Sequence, residues 1–434
     1  MNNRTLGELR VGLLGLGVVG GGVASHLFKY VDSIERQFGT RVVIKKILVR
    51  DLSKTRGEII PDYLLTTNPE EILRSRELDI IIEVMGGEQP AATYLSDALN
   101  SGKHVVTANK EVMAKFGSSL LELANRNRVR LLFEASVGGA IPIIGNLSND
   151  LSANNVNSIR GIINGTSNYI LTRMSGDQVE FGKALEEAQQ QGYAETDPTN
   201  DIEGTDAVYK LSIMSALAFH TFVNPNDVYC EGITQLQTQD FRYADELGYA
   251  IKSLGIASLD GSSIQARVHP VLLPKEHMLA KVDGVYNAIE IEGDLCGQVL
   301  FHGRGAGREP TTSAVLGDLF EIVRTINSCD LQNAAPDIDL GLAIQSIDDL
   351  ESKYYLRLNV SDQSGVLGQI AMILGEEDIS LAEVLQKDTN VLAGTAEIVI
   401  TTHPAFEVAL QRSLDKISQL DVVREVSSLL RIED

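Results

Sequence analysis

Residues 9–31 read LRVGLLGLGVVGGGVASHLFKYV, and this stretch decides the fold of the first part of the chain. Leu9 to Leu14, mostly apolar and short, reads as a strand. Gly15-Leu16-Gly17-Val18-Val19-Gly20 follows as a tight turn, and beyond it the apolar side chains recur at helical spacing. Strand, GxGxxG turn and helix in this order are the setting in which a dinucleotide binds. Gly15 and Gly17 let the main chain approach a pyrophosphate, Gly20 lets helix and strand pack closely, and the helix N-terminus offers partial positive charge to phosphate. These six turn residues are the candidate cofactor-binding loop; the plainer alternative is a packing turn without a ligand.

The next strand, RVVIKKILVR, is expected to end at Arg50, where a site for NAD would place an acidic residue. An arginine there suits a 2′-phosphate, and Lys54 lies in the same loop. NADPH/NADP is therefore the expected cofactor, with NADH as the alternative and a solvated strand end as the plain reading of Arg50. TTNPEEILRS then offers Asn68 as a helix cap, Pro69 at the first helical position and Glu71 for a capping box. Asp79 to Val84, Lys103 to Thr107 and Arg130 to Phe133 repeat the strand rhythm, with the helix PAATYLSDALNSG between the first two. Strands alternating with helices predict a parallel sheet of α/β type, with ligands beyond the carboxyl ends of the strands.

Composition sets outer bounds. A chain of 434 residues exceeds one core and suggests about three domains. No apolar run reaches the ~18 residues of a membrane span, and no basic segment followed by an apolar signal core opens the chain, which points to a cytoplasmic protein away from membranes. The net charge of −22 and the lack of a Lys/Arg cluster with interleaved aromatics argue against nucleic acid. Cys230, Cys296 and Cys329 are widely separated and read as reduced, buried thiols. The histidines show no metal-ligand spacing, and His269 and His277 read as structural.

The second informative stretch is Gly192 to Lys210, GYAETDPTNDIEGTDAVYK, where five acidic side chains crowd one lysine beside a turn-rich loop. Asn200, Gly204 and Asp197-Pro198 read as loop, and a helix is expected from Asp206 onward. That spacing puts Asp206 and Lys210 one turn apart on one face. An ordinary surface pair is the bland reading.

From Ala188 to Lys210 the chain resembles the signature segment of homoserine dehydrogenases. The resemblance implies Lys210 as catalytic acid/base, Asp206 as its acidic partner, and Glu195 and Asp201 at the substrate. Gly192 falls beside the cofactor by the same likeness. Thr107-Ala108-Asn109-Lys110 is similar to the T-A-N-K segment of that family, which implies Thr107 and Lys110 at the cofactor and Lys110 also in substrate binding and catalysis. In related dehydrogenases the segment Glu134 to Pro142 can hold a sodium ion, here implying Glu134, Val137, Gly139 and Ile141 as ligands, mostly through main-chain oxygen; a domain hinge is the alternative. His302 to Thr312 is a third Gly-rich segment. It is read as the chain's return to the cofactor domain, with Gly307 near the nicotinamide end, or else as a plain connector.

Residues 1–144, completed by about 304–333, are thus expected to form a Rossmann-like dinucleotide-binding domain. Residues 145–303 read as an α+β substrate, catalytic and dimerisation domain. VNSIRGIING, SSIQARVHPVLL, GVYNAIEIEG and CGQVLFHG read as its strands, and FGKALEEAQQQG and FRYADELGYAIK as helices. Asn164-Gly165-Thr166-Ser167-Asn168 is left open between polar contacts and ordinary turn and cap residues. After a linker over 334–353, residues 354–434 spell βαββαβ, the ferredoxin-like unit. Its loop Asp362 to Leu367 resembles the ligand loop of ACT domains, implying an amino-acid effector near Asp362, Gly365, Val366 and Leu367, with threonine favoured by family analogy. The resemblance is to the monofunctional form of the enzyme, as a homodimer or homotetramer, with the C-terminal module separable by a cut after about Gln345. A different amino-acid dehydrogenase on the same scaffold and a non-catalytic sensor are the rival readings.

Overall fold

The computed structural model describes residues 7–54, 60–328, 338, 341–387, 389–390 and 393–433. The chain forms two units, one of residues 1–156, 209–225 and 292–341, the other of 157–208, 226–291 and 342–434.

In the first unit six strands, β1 Glu8–Leu14, β2 Arg41–Leu48, β3 Leu65–Thr66, β4 Ile80–Glu83, β5 His104–Thr107 and β6 Leu131–Leu132, lie in the order β3-β2-β1-β4-β5-β6. Every neighbouring pair is parallel. This is the doubly wound order, reversing at β1, so the carboxyl ends of β1 and β4 flank the switch point at which ligands bind. Val11, Leu13, Ile80, Ile81, Ile82, Val105 and Val106 are fully buried, as strands covered on both faces require. Helices Val18–Phe38 and Arg308–Ser328 cover one face, and Val23, Ala24 and Leu27 share a core with Val315, Leu319, Ile322 and Val323. They approach closely enough that a Cβ on Gly22 would fall 2.3 Å from Thr312 Oγ1. Full burial of one such leucine stabilises by ~1.5–3 kcal/mol.

Two local readings change. β2 stops at Leu48, two residues short of Arg50. No capping box forms at Asn68: its Oδ1 accepts the Glu70 N–H at 3.1 Å, but Glu71 pairs with Lys46 at 3.1 Å instead of reaching back.

In the second unit, strands Val156–Ile162, Tyr249–Asp260, Ser263–Pro274, Val423–Ile432, Glu351–Ser361, Thr395–Thr402 and Leu381–Leu385 follow one another across a mixed sheet. Tyr249–Asp260 and Ser263–Pro274 form a long hairpin from Asp260↔Ser263 to Tyr249↔Pro274. Sequence reading carried the helix FRYADELGYAIK through to Lys252. The helix in fact ends at Glu246, Gly248 takes φ +84 as only glycine does readily, and Tyr249 starts the strand. Asn200, read as loop, lies in the short helix Thr199–Ile202. The expected linker contributes its own strand, Ala343–Ile344, beside Ser263–Ile264.

Residues 351–432 follow βαββαβ order, with helices Val366–Glu376 and Glu407–Ser418 and a four-stranded antiparallel array. This array is continuous with the rest of the unit, because Arg431 and Ile432 pair in parallel with Val271 and Leu272. Tyr355, Val399, Leu430 and Ile432 share a core with Ile170, Phe241, Ile251 and Leu272. Arg357, 2% exposed, places its Nε 2.8 Å from Asp240 Oδ1 and its Nη2 2.9 Å from Gln237 Oε1, and Arg267 pairs with Glu433 at 2.7 Å. Buried ion pairs of this kind leave an uncompensated charge if one side is removed, so the C-terminal array is not a loosely tethered module.

Candidate active site

The three glycines of the GxGxxG turn either take a position that a side chain would block or leave open space. Gly15 takes φ +101, its N–H donates to Leu48 O at 3.1 Å, and a Cβ there would meet Val84 O at 2.9 Å. A Cβ on Gly20 would fall 2.2 Å from Gly15 O, which ties the helix to the strand end. Gly17 has nothing within 4 Å of where its Cβ would stand, so open space lies at the N-terminus of Val18–Phe38. Leu16 and Val19 pack against the core, whereas Val18 is exposed. Arg50 and Lys54 are both exposed in the loop after β2, where Asp51 accepts from the Ser53 N–H at 2.8 Å and hydroxyl at 2.7 Å.

The carboxyl ends of β4 and β5 are organised by Glu83, a residue that the sequence reading passed over. It is fully buried. Oε1 accepts the Met85 N–H at 2.7 Å and Oε2 accepts the Thr107 hydroxyl at 2.6 Å. The Thr107 hydroxyl accepts the Asn109 N–H at 3.1 Å, and Asn109 Nδ2 donates to Gly87 O at 2.8 Å. Burial pushes the Glu83 carboxyl up, against the lowering effect of the Thr107 hydroxyl and the Met85 amide. Thr107, expected at the cofactor, is itself fully buried and its hydroxyl is engaged on both sides. Lys110 opens helix Lys110–Asn127, and its neighbour Asn109 caps that helix by accepting the Val112 N–H at 3.2 Å. One signal of Glu83 was in the sequence: a lone carboxylate ending the apolar run DIIIE is rare unless it is paired.

In the second unit, Asn164 settles the open question about its segment. Its Nδ2 donates to Asp201 Oδ1 at 2.7 Å and Asp206 Oδ2 at 2.8 Å, while its Oδ1 caps helix Gly165–Asp177 through the Ser167 N–H at 2.8 Å. Thr166 donates to Tyr193 O at 2.8 Å and Ser167 to Asp201 O at 2.8 Å. The Asn-Gly-Thr-Ser segment therefore holds both ends of the acidic loop. One amide joining two carboxylates keeps like charges close that would otherwise separate. Asp206 and Lys210 stand one turn apart on helix Thr205–Ala218 and are both buried, unlike an ordinary surface pair. Glu195 is exposed, as is Gly192 at φ +76.

The segment from Glu134 to Pro142 is constrained on two sides. The Glu134 carboxylate accepts three main-chain N–H groups, from Ile143 at 2.7 Å, Ile144 at 2.9 Å and Gly145 at 2.7 Å. Burial nevertheless raises its carboxyl above the usual range, and Asp318, which accepts the Glu134 N–H at 2.9 Å, is pushed well up by burial and by Glu134. Val137 and Ile141 are buried, and Gly139, at φ +56, leaves room for the Gly305 main chain, which a Cβ would meet at 2.6 Å. Gly307 takes φ +122 just before helix Arg308–Ser328.

Among the described residues, no group of three or more His, Cys, Asp or Glu side chains is placed to hold a metal ion, and no helix is long and apolar enough to cross a membrane. Cys230 is exposed and Cys296 half-buried, which corrects the expectation of buried thiols; Cys329 lies outside the described residues. His269 is fully buried with Nδ1 3.1 Å from Pro270 O. In the C-terminal array, Gly365 takes φ +93 ahead of helix Val366–Glu376. Asp362 is exposed and its N–H donates to Gly394 O at 3.0 Å, Val366 is buried and Leu367 is partly exposed.

A doubly wound sheet with open main chain at the end of β1 and a lysine just beyond β5 are features of the class of nicotinamide-dependent oxidoreductases. Residues 15–134 match the family described as homoserine dehydrogenase, NAD binding domain, and residues 142–320 match the family described as homoserine dehydrogenase. The chain is 42% identical to a homoserine dehydrogenase of Neisseria gonorrhoeae over 98% of both chains. It superposes on the crystal structure of a homoserine dehydrogenase from Thiobacillus denitrificans with a TM-score of 0.92 and 41% identity, covering 99% of this chain and 100% of that one. A hyperthermophilic archaeal homoserine dehydrogenase solved in complex with NADPH matches with a TM-score of 0.64 and 26% identity, over 76% of this chain and 99% of its own. The chain belongs to the homoserine dehydrogenase family and is an oxidoreductase.

Proposed function

We propose that this enzyme interconverts L-aspartate 4-semialdehyde and L-homoserine with NADPH/NADP, using Lys210 as acid/base. The observation that carries the reading is the buried Asp206 and Lys210 on one helix, with Asp206 held beside Asp201 by the Asn164 amide. When bound, the cofactor supplies hydride to the carbonyl carbon, so the carbonyl oxygen must gain a proton. A lysine is ordinarily an ammonium near neutral pH, and a neighbouring carboxylate favours that form. Lys210 thus donates the proton during reduction and must be neutral to accept one during oxidation. Glu195 is the carboxylate for the substrate's ammonium, Asp201 in the short helix Thr199–Ile202 also serves the substrate, and Lys110 meets the carbonyl or carboxylate oxygen. The open face at Gly17 and the helix N-terminus receive the pyrophosphate, and Arg50 with Lys54 reads the 2′-phosphate. The archaeal relative's complex with NADPH supports this preference.

A monovalent cation such as sodium would be held in the segment from Glu134 to Ile141 mostly through main-chain oxygens of Glu134, Val137, Gly139 and Ile141, since the Glu134 carboxylate already accepts three amides. Oxygen-only coordination suits a hard cation. The βαββαβ array serves as an ACT-type regulatory module, with an amino acid, threonine by family analogy, held near Asp362 to Leu367. Leu381–Leu385, last in its sheet, is the edge on which two subunits pair.

Following NADPH oxidation against aspartate semialdehyde and a panel of other aldehydes and oxo acids tests the substrate. Turnover confined to the semialdehyde is expected, and comparable kcat/KM on another oxo acid would overturn the assignment. Arg50→Asp is expected to weaken NADPH far more than NADH, since it removes a phosphate partner and adds like charge. Equal losses would remove Arg50 from cofactor recognition.

A further inference from the structure

Glu83 meets the loops beyond two strands at once. Its carboxylate fixes the Met85 amide after β4 and the Thr107 hydroxyl at the end of β5, with both oxygens engaged at 2.6–2.7 Å. From Thr107 the chain of bonds continues through the Asn109 N–H, and Asn109 is pinned a second time to Gly87 O and a third time as the cap of helix Lys110–Asn127. We propose that Glu83 is a positioning residue for the proposed reaction, setting the main chain from which Lys110 projects by way of Thr107 and Asn109.

The geometry excludes the simpler roles. A residue with no exposed surface cannot contact substrate or cofactor. A glutamate that only filled an apolar strand would be replaceable by an apolar residue of similar size, yet here replacement strands a buried hydroxyl proton and leaves a half-buried amide without its acceptor. The hydroxyl of Thr107 is the joint in the relay: it gives its only proton to Glu83 and so presents a lone pair to the Asn109 N–H. Loosening that joint lets Asn109 and the first turn of the helix shift, and displacement of a reacting group by about 1 Å can cost on the order of 100-fold in rate.

The proposal rests on Lys110 acting at the substrate, and the test separates the two. Steady-state reduction of aspartate semialdehyde is measured for Glu83→Gln, Thr107→Val, Thr107→Ser, Lys110→Ala and the Glu83→Gln/Lys110→Ala double variant, with NADPH affinity followed by fluorescence. Expected are a loss of about 10-fold or more in kcat for Glu83→Gln and Thr107→Val with NADPH affinity held within about two-fold. Thr107→Ser, which keeps the hydroxyl, restores turnover, and the double variant is no slower than Lys110→Ala alone. Multiplicative losses in the double variant, or Thr107→Val turning over like wild type, would overturn the proposal while leaving the role of Lys110 intact. Wild-type turnover in Lys110→Ala would instead overturn the role of Lys110, and the proposal with it. If Glu83→Gln does not fold, the contrast between Thr107→Val and Thr107→Ser decides.

Discussion

His104 begins β5 with Nδ1 accepting the Arg130 N–H at 3.0 Å, so the ring's proton sits on Nε2 and a second proton would break that bond. Burial, aided by the nearby Arg130 charge, lowers the imidazole to about 4. The folded state therefore prefers the neutral ring, whereas the unfolded chain takes up a proton near the ordinary value of ~6.5. The stabilisation is complete above about pH 6.5 and is lost as pH falls toward about 4. Between about pH 7 and pH 4.5, wild type should lose on the order of 2 kcal/mol more unfolding free energy than His104→Gln, measured by denaturant titration. Parallel curves for the two proteins would contradict the assignment. Residues of this kind show what a sequence discloses. Lys210, Asp206 and Glu195 stand out because charge is crowded within one segment. Glu83 was marked only by its lone charge at the end of an apolar run and Asn164 only as a turn or cap residue; their partners 24, 37 and 42 positions away were not legible.

Among elements, the buried parallel strands were the most legible, because apolar runs such as DIII and HVV admit few alternatives. Strand Tyr249–Asp260 was hidden at its start, since FRYADELGYAIK keeps a helix-like apolar spacing through Gly248, and only the left-handed glycine breaks it. The strand Ala343–Ile344 has two residues and no pattern of its own. The order of the C-terminal elements was readable from alternation, but their attachment was not, because it depends on Arg357, Arg431 and Glu433 finding distant partners. A chain cut after Gln345 would leave Asp240, fully buried, without Arg357, and would strip Leu430 and Ile432 from Leu272. Such a truncation is expected to lose cooperative unfolding of the second unit. Asp240→Ala in the full chain should cost about 3–5 kcal/mol, read by thermal and denaturant melts. A truncated protein that melts like the full chain would show the array to be independent after all.

At the scale of the molecule, the residues proposed for the chemistry are scattered along the chain. The dinucleotide turn, Lys110 and Lys210 belong to the first unit, and Asn164, Glu195, Asp201 and Asp206 to the second, so the chain enters each unit three times. That interleaving is invisible to local pattern, which reads boundaries from linkers and finds none at Val208 or Pro225. The central claim is that a lysine from this interleaved chain exchanges the proton that accompanies hydride transfer. The most direct measurement is the turnover of Lys210→Ala in NADPH-dependent reduction of aspartate semialdehyde, with NADPH affinity determined on the same preparation. The account predicts a fall of on the order of 100-fold or more in kcat with cofactor affinity nearly unchanged; turnover within a few-fold of wild type would contradict it.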